Sequence, residues 1–152
     1  MKKIFPFESP REQYHCDAAV VWCFDFRFDP VFRNFLPEIG VRKFDSIQIA
    51  GGAKSLAVPG NERDRDFVVE QIRKSIRLRG TGRVILTLHS DCGAYGGLAA
   101  TFGGDARAEA EQRERELRRA ATSLIDAIPA LRVDAYYADF EGVWEVELPR
   151  PL

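Results

Sequence analysis

The chain has 152 residues, 45% of them hydrophobic, which fits one domain around one core. Its 22 lysines and arginines nearly balance 23 aspartates and glutamates, so charge gives no case for a nucleic-acid partner or an anionic membrane. No segment reads as a signal peptide or a membrane span, which places the protein in the cytoplasm; three cysteines in a reducing compartment then suggest metal or catalytic use before disulfides.

Residues 1–17 show no period and are broken by Pro6 and Pro10. They read as an N-terminal arm packing on a neighbouring surface such as a second subunit, ahead of a single α/β domain over residues 18–152. Residues 18–24 are a continuous valine-rich apolar run, as expected of a strand covered on both faces. Asp29 as N-cap and Pro30 in the first turn start a helix with Phe32, Phe35, Leu36 and Ile39 on one face, and Gly40 ends it. Residues 44–50 form a second strand, followed by a loop over 51–55.

Asn61 caps a long helix to about Arg79, with Phe67, Val68, Ile72 and Ile76 as its apolar stripe and Gly80 as its stop. Residues 83–88 are a third strand, and a Gly-rich helical piece follows Cys92 as far as Ala100. Asp105 caps another helix ending near Ile128. Its pairs Glu109/Arg113, Glu111/Arg115 and Glu114/Arg118 read as a solvated face, with Leu117, Ala121, Leu124 and Ile128 buried. Residues 133–138 make a fourth strand, 139–142 a tight turn, and 143–148 a fifth strand antiparallel to the fourth. The expected fold is α/β: a mainly parallel sheet of order 2-1-3-4, an antiparallel C-terminal edge strand, and helices on both faces.

In open α/β sheets ligands bind beyond the carboxyl ends of the strands, where the strand order reverses. With order 2-1-3, Cys23 closes the first strand beside His89, which closes the third. Cys92 starts the next helix, whose amide dipoles favour thiolate. Two sulfurs and one imidazole suit zinc, with the fourth position open as in a catalytic site. Asp25 sits two residues past a ligand and either orients a zinc-bound water or closes the site as a fourth ligand; pairing with Arg27 holds it off the metal. Two thiolates and a neutral imidazole cancel the charge of zinc. The bound water should therefore be less acidic than the value of about 7 for three-histidine zinc, with activity rising on the alkaline side.

At these residues the sequence resembles the β-class carbonic anhydrases. That family carries C-x-D-x-R after its first strand and H-x-x-C-G after its third; here they stand as Cys23-Phe24-Asp25-Phe26-Arg27 and His89-Ser90-Asp91-Cys92-Gly93. The resemblance implies zinc held by Cys23, His89 and Cys92, an Asp25–Arg27 pair, and reversible hydration of carbon dioxide to bicarbonate by zinc-bound hydroxide. It also implies a homodimer or higher homo-oligomer with clefts near the subunit interface. Gly51, Gly52 and Gly93 are then the residues expected to meet substrate. The chain departs from the family at Phe26, where a small residue is usual and the pocket should be narrower, and at Ile49-Ala50-Gly51-Gly52, where R-N-A-G-N is typical. Gln13 is a loose counterpart of the glutamine that commonly precedes the first strand.

Other readings follow from the same residues. Hydrolysis of carbonyl sulfide or carbon disulfide would use the same metal. A non-catalytic zinc module would keep Asp25 as a permanent ligand, and a thiol redox protein would use Cys23 and Cys92 without metal. Phe24, Phe26 and Phe28 read as core or as the wall of a dry pocket. His15 and Cys16 read as ordinary packing at a strand entrance.

Overall fold

A computed structural model describes residues 1–58, 60 and 62–149. The strands are β1 (Ala18–Trp22), β2 (Phe44–Gln48), β3 (Arg83–His89), β4 (Arg132–Ala138) and β5 (Val143–Val146). They form one sheet in the order β2-β1-β3-β4-β5, parallel except that β5 runs antiparallel to β4. The expected order, the antiparallel edge and the helices on both faces are all present.

The unbroken apolar run of β1 has a simple cause. Ala19 and Val21 point into one core, with Val84, Leu86 and Leu88 of β3, while Ala18, Val20 and Trp22 point into the other. Helix α1 (Asp29–Glu38) covers the second core through Phe32 and Leu36. Helices α2 (Lys54–Ala57), α3 (Glu62–Arg79) and α5 (Ala106–Ala127) cover the first, and α4 (Leu98–Phe102) is a short link. Each leucine or isoleucine enclosed here adds about 1.5–3 kcal/mol. Among the described residues, no helix is long and apolar enough to cross a membrane.

Several local expectations need correction. β1 ends at Trp22, because the chain leaves the sheet at Cys23 and residues 23–28 build a loop. Phe24 and Phe26 on that loop are 63% and 83% exposed, so neither walls a dry pocket; Phe28 is buried. Asp29 does not cap α1. Phe28 holds the cap position without a side-chain bond, and the Asp29 carboxylate instead accepts from Arg33 and Gln48. Phe67 is exposed, and the buried side of α3 runs through Val68, Val69, Ile72 and Ser75. Asp105 caps α5 as expected, accepting from the backbone N–H of Arg107 and Ala108. The cap assigned to Asn61, and the chain beyond residue 149, lie outside the described residues.

Candidate metal centre

β1 and β3 are direct neighbours, with Val21 opposite Leu86, so their carboxyl ends finish side by side. Cys23 follows β1 and His89 is the last residue of β3. A tight turn then brings Cys92 back toward them. Asp91 makes that turn possible: its φ is 52°, and it is the sole non-glycine residue with positive φ among those described. Aspartate tolerates this region better than most residues because its short side chain bonds locally. Here Asp91 Oδ1 accepts from the Leu98 N–H at 2.8 Å.

The donor atoms of Cys23, His89 and Cys92 lie within 4.8 Å of one another, and all three residues are buried. The two sulfurs are 4.0 Å apart. A tetrahedral ion about 2.3 Å from each sulfur would space them by about 3.8 Å. His89 Nδ1 lies 2.8 Å from the Ser90 carbonyl oxygen. A carbonyl only accepts, so Nδ1 carries the proton and Nε2 presents its lone pair. That Nε2 is buried with no hydrogen-bond partner among the described residues. An orphaned buried acceptor beside two thiols fits a soft divalent cation.

The thiols are unlike each other. The Cys23 thiol is pulled well down, first by the hydrogen bond from Cys92 and further by His89 and the backbone N–H groups of Asp25 and Gly51. Cys92 is pushed up by the neighbouring Cys23 and by burial. The helical turn after Cys92 (Gly93–Tyr95) is only three residues long, so the helix dipole expected to favour a Cys92 thiolate is slight.

Asp25 and Arg27 stand at the rim. Arg27 donates to both Asp25 oxygens, from Nε to Oδ1 at 3.0 Å and from Nη2 to Oδ2 at 2.7 Å. These bonds hold the Asp25 carboxyl down to about 2. Arg27 also donates from Nη1 to Asp91 Oδ2 at 2.9 Å and from Nη2 to the Asp91 carbonyl at 3.0 Å. Phe28 stacks on the His89 ring at 4.3 Å, and Phe140 covers Phe28 at 5.2 Å.

The glycines divide. A Cβ on Gly52, at φ 55°, would sit 2.6 Å from the Thr87 carbonyl oxygen and 3.0 Å from the Cys23 nitrogen. Gly51, at φ 79°, donates its N–H to Cys23 Sγ at 3.3 Å. Both let the loop press against Cys23. Gly93 opens the short helical turn with free space around its Cα.

Three residues that sequence reasoning did not single out for the site also belong here. Ser90 and Asp91 span His89 and Cys92, and Glu109 of α5 reaches them from behind. The Glu109/Arg113 pair was expected on a solvated face, but Glu109 is 0% and Arg113 2% exposed. Nothing local separates that pair from Glu114/Arg118, which is half-exposed on the same helix. A cavity of about 780 Å³ between α3 and α5, lined by Arg65, Arg73, Arg118 and Arg119, does not include the three donors.

A family model with the description "Putative carbonic anhydrase" matches residues 13–148. No curated protein sequence matches the chain. Among solved structures, a carbonic anhydrase from Streptococcus mutans is similar with a TM-score of 0.59 and 19% identity, over 89% of this chain and 84% of that one. The β-carbonic anhydrase isoform I of Trichomonas vaginalis gives 0.61 and 14%, over 95% and 90%. Two tetrameric β-carbonic anhydrases from Sordaria macrospora give 0.51 and 14%, over 91% and 84%. At these identities the likeness is one of fold.

Proposed function

Since the chain belongs to the "Putative carbonic anhydrase" family, we propose that it holds one zinc ion through Cys23, His89 and Cys92 and hydrates carbon dioxide reversibly to bicarbonate. The observation that carries this reading is the orphaned His89 Nε2, buried beside two sulfurs 4.0 Å apart. When bound, the ion would supply a Lewis acid that lowers the pKa of water and so makes it a nucleophile, more so on the alkaline side.

The chain's own residues do the rest. The backbone N–H of Gly51 supports the Cys23 sulfur, and the Ser90 carbonyl fixes the His89 tautomer. Asp25, kept ionised by Arg27, accepts a hydrogen bond and orients the attacking water. With its carboxyl near 2 it is a weak base at neutral pH, so it does not store the proton. Carbon dioxide and water give bicarbonate and one proton, and that proton leaves to solvent or buffer. Arg27 meanwhile engages both Asp25 oxygens, which supports an open site over a closed, non-catalytic one. Ile4, Phe5 and Phe7 of the N-terminal arm are exposed, which supports assembly with further copies of the chain.

Stopped-flow carbon dioxide hydration on metal-quantified protein tests this. The expected result is about one zinc per chain, a rate that scales with zinc, and a loss of at least about tenfold in Asp25→Ala. Zinc present with no hydration at any pH would reject the assignment.

A further inference from the structure

Behind the three donors lies a group of enclosed charges that the proposed reaction does not use directly. Glu109, Arg113 and Glu116 follow one another along α5 and are 0%, 2% and 4% exposed. Enclosing charge is costly unless it is paired and hydrogen-bonded. Arg113 Nη1 donates to Glu116 at 2.8 Å, and its guanidinium lies 3.4 Å from the centroid of the Tyr95 ring. Arg113 Nη2 stands farther from Glu109, at 3.8 Å.

Glu109 turns its hydrogen bonding toward the ligand loop instead. Its Oε2 accepts from the Ser90 hydroxyl at 2.7 Å, and both its oxygens share the Asp91 N–H at 3.1 Å. Ser90 and Asp91 are the two residues between His89 and Cys92. The Ser90 carbonyl takes the His89 Nδ1 proton, and Asp91 takes Nη1 and Nη2 of Arg27 from its strained turn. The aim of the imidazole and the hold on Arg27 therefore hang from one two-residue segment, and one carboxylate grips that segment.

We propose that Glu109 is a positioning residue of the metal centre. Through Ser90 and Asp91 it sets the tilt of His89 and its spacing from Cys92, and through Asp91 it steadies Arg27 on Asp25. It touches neither ion nor substrate. This rests on reading Cys23, His89 and Cys92 as metal ligands.

Glu109→Gln keeps the volume but puts an NH2 group where an oxygen accepted from Ser90 or Asp91. Ser90→Ala removes one of the bonds from the other side. Glu116→Gln is the control, because it alters the closer partner of the same Arg113 without touching the loop. Cobalt(II) is titrated into each protein against a chromophoric chelator, its visible spectrum is recorded, and urea unfolding is measured alongside. Glu109→Gln and Ser90→Ala are expected to weaken cobalt binding about 10- to 100-fold and shift the absorption bands. Glu116→Gln is expected to lower stability while leaving affinity and spectrum unchanged. Wild-type affinity and spectrum in Glu109→Gln, or an equal loss in Glu116→Gln, would overturn the proposal. If Glu109→Gln does not fold, Ser90→Ala decides: unchanged binding there also overturns it. Failure of the unsubstituted chain to bind cobalt would instead reject the ligand assignment, and this proposal with it.

Discussion

Arg27 grips Asp25 through two of its guanidinium nitrogens, Nε at 3.0 Å and Nη2 at 2.7 Å, while Asp91 accepts from its third at 2.9 Å. The planar guanidinium matches a carboxylate in this two-point contact, and a lysine would not. Arg27 is half exposed, so solvent screens the pair and its worth to folding is small. Its consequence is orientation: Asp25 stays at the rim as an ionised acceptor.

Arg27→Gln should separate orientation from stability. Zinc should stay bound, and stability should change by less than about 1 kcal/mol. Hydration per bound zinc should fall by about tenfold or more, because Asp25 is no longer held. Stopped-flow rates with zinc quantification and urea unfolding check both halves. An unchanged rate would mean that Asp25 does not need its partner.

Phe28 and Phe26 lie two residues apart and should behave oppositely. Phe28 is buried and stacks on His89, so Phe28→Ala should cost about 3–5 kcal/mol and weaken zinc binding. Phe26 is 83% exposed, and Phe26→Ala should stay within about 0.5 kcal/mol. Urea unfolding of the two variants gives both numbers. A loss above about 2 kcal/mol at Phe26 would show that another copy of the chain covers it.

Gly52→Ala should damage fold and metal site together. The added Cβ meets the Thr87 carbonyl and the Cys23 nitrogen at a φ that L side chains rarely adopt. A destabilisation of about 1–3 kcal/mol is expected, with reduced zinc content after purification. Gly93→Ala meets open space and should retain its zinc. Equal zinc content in all three proteins would show that the loop does not press on Cys23.

Acid should loosen the entrance to β1. The Asp17 carboxylate accepts from the backbone N–H of Arg42 and Lys43 at 2.9 and 2.8 Å, and these bonds lower its pKa. A carboxyl lowered on folding adds stability above its unfolded value of about 3.9, and that stability fades as pH falls toward the folded value. Unfolding free energy should therefore drop between pH 5 and the acid limit, both values being of the order set by carboxylate titration. Asp17→Asn should flatten part of that slope. An identical acid profile in the variant would contradict this role.

The architecture was legible where local pattern and topology agree. The two-faced apolar run of β1, the alternation of strands with helices and the C-terminal hairpin pointed to a mainly parallel sheet with an antiparallel edge, and the assumed order 2-1-3, which the sheet has, puts Cys23 beside His89. The loop beyond was less legible. Alternation means something only while the chain stays in the sheet, and it leaves after Trp22, so Phe24 and Phe26 were misplaced. Glu109 was hidden for another reason. An i, i+4 pair with arginine looks the same exposed or enclosed; what draws Glu109 inward is the hydroxyl of Ser90 and the N–H of Asp91, 19 and 18 residues away.

X-ray absorption at the zinc edge of the metal-loaded protein tests the central claim most directly. Two sulfur neighbours at about 2.3 Å and a nitrogen at about 2.0–2.1 Å are predicted, at one zinc per chain. A zinc sphere without sulfur, or a chain that takes up no stoichiometric zinc, would contradict it.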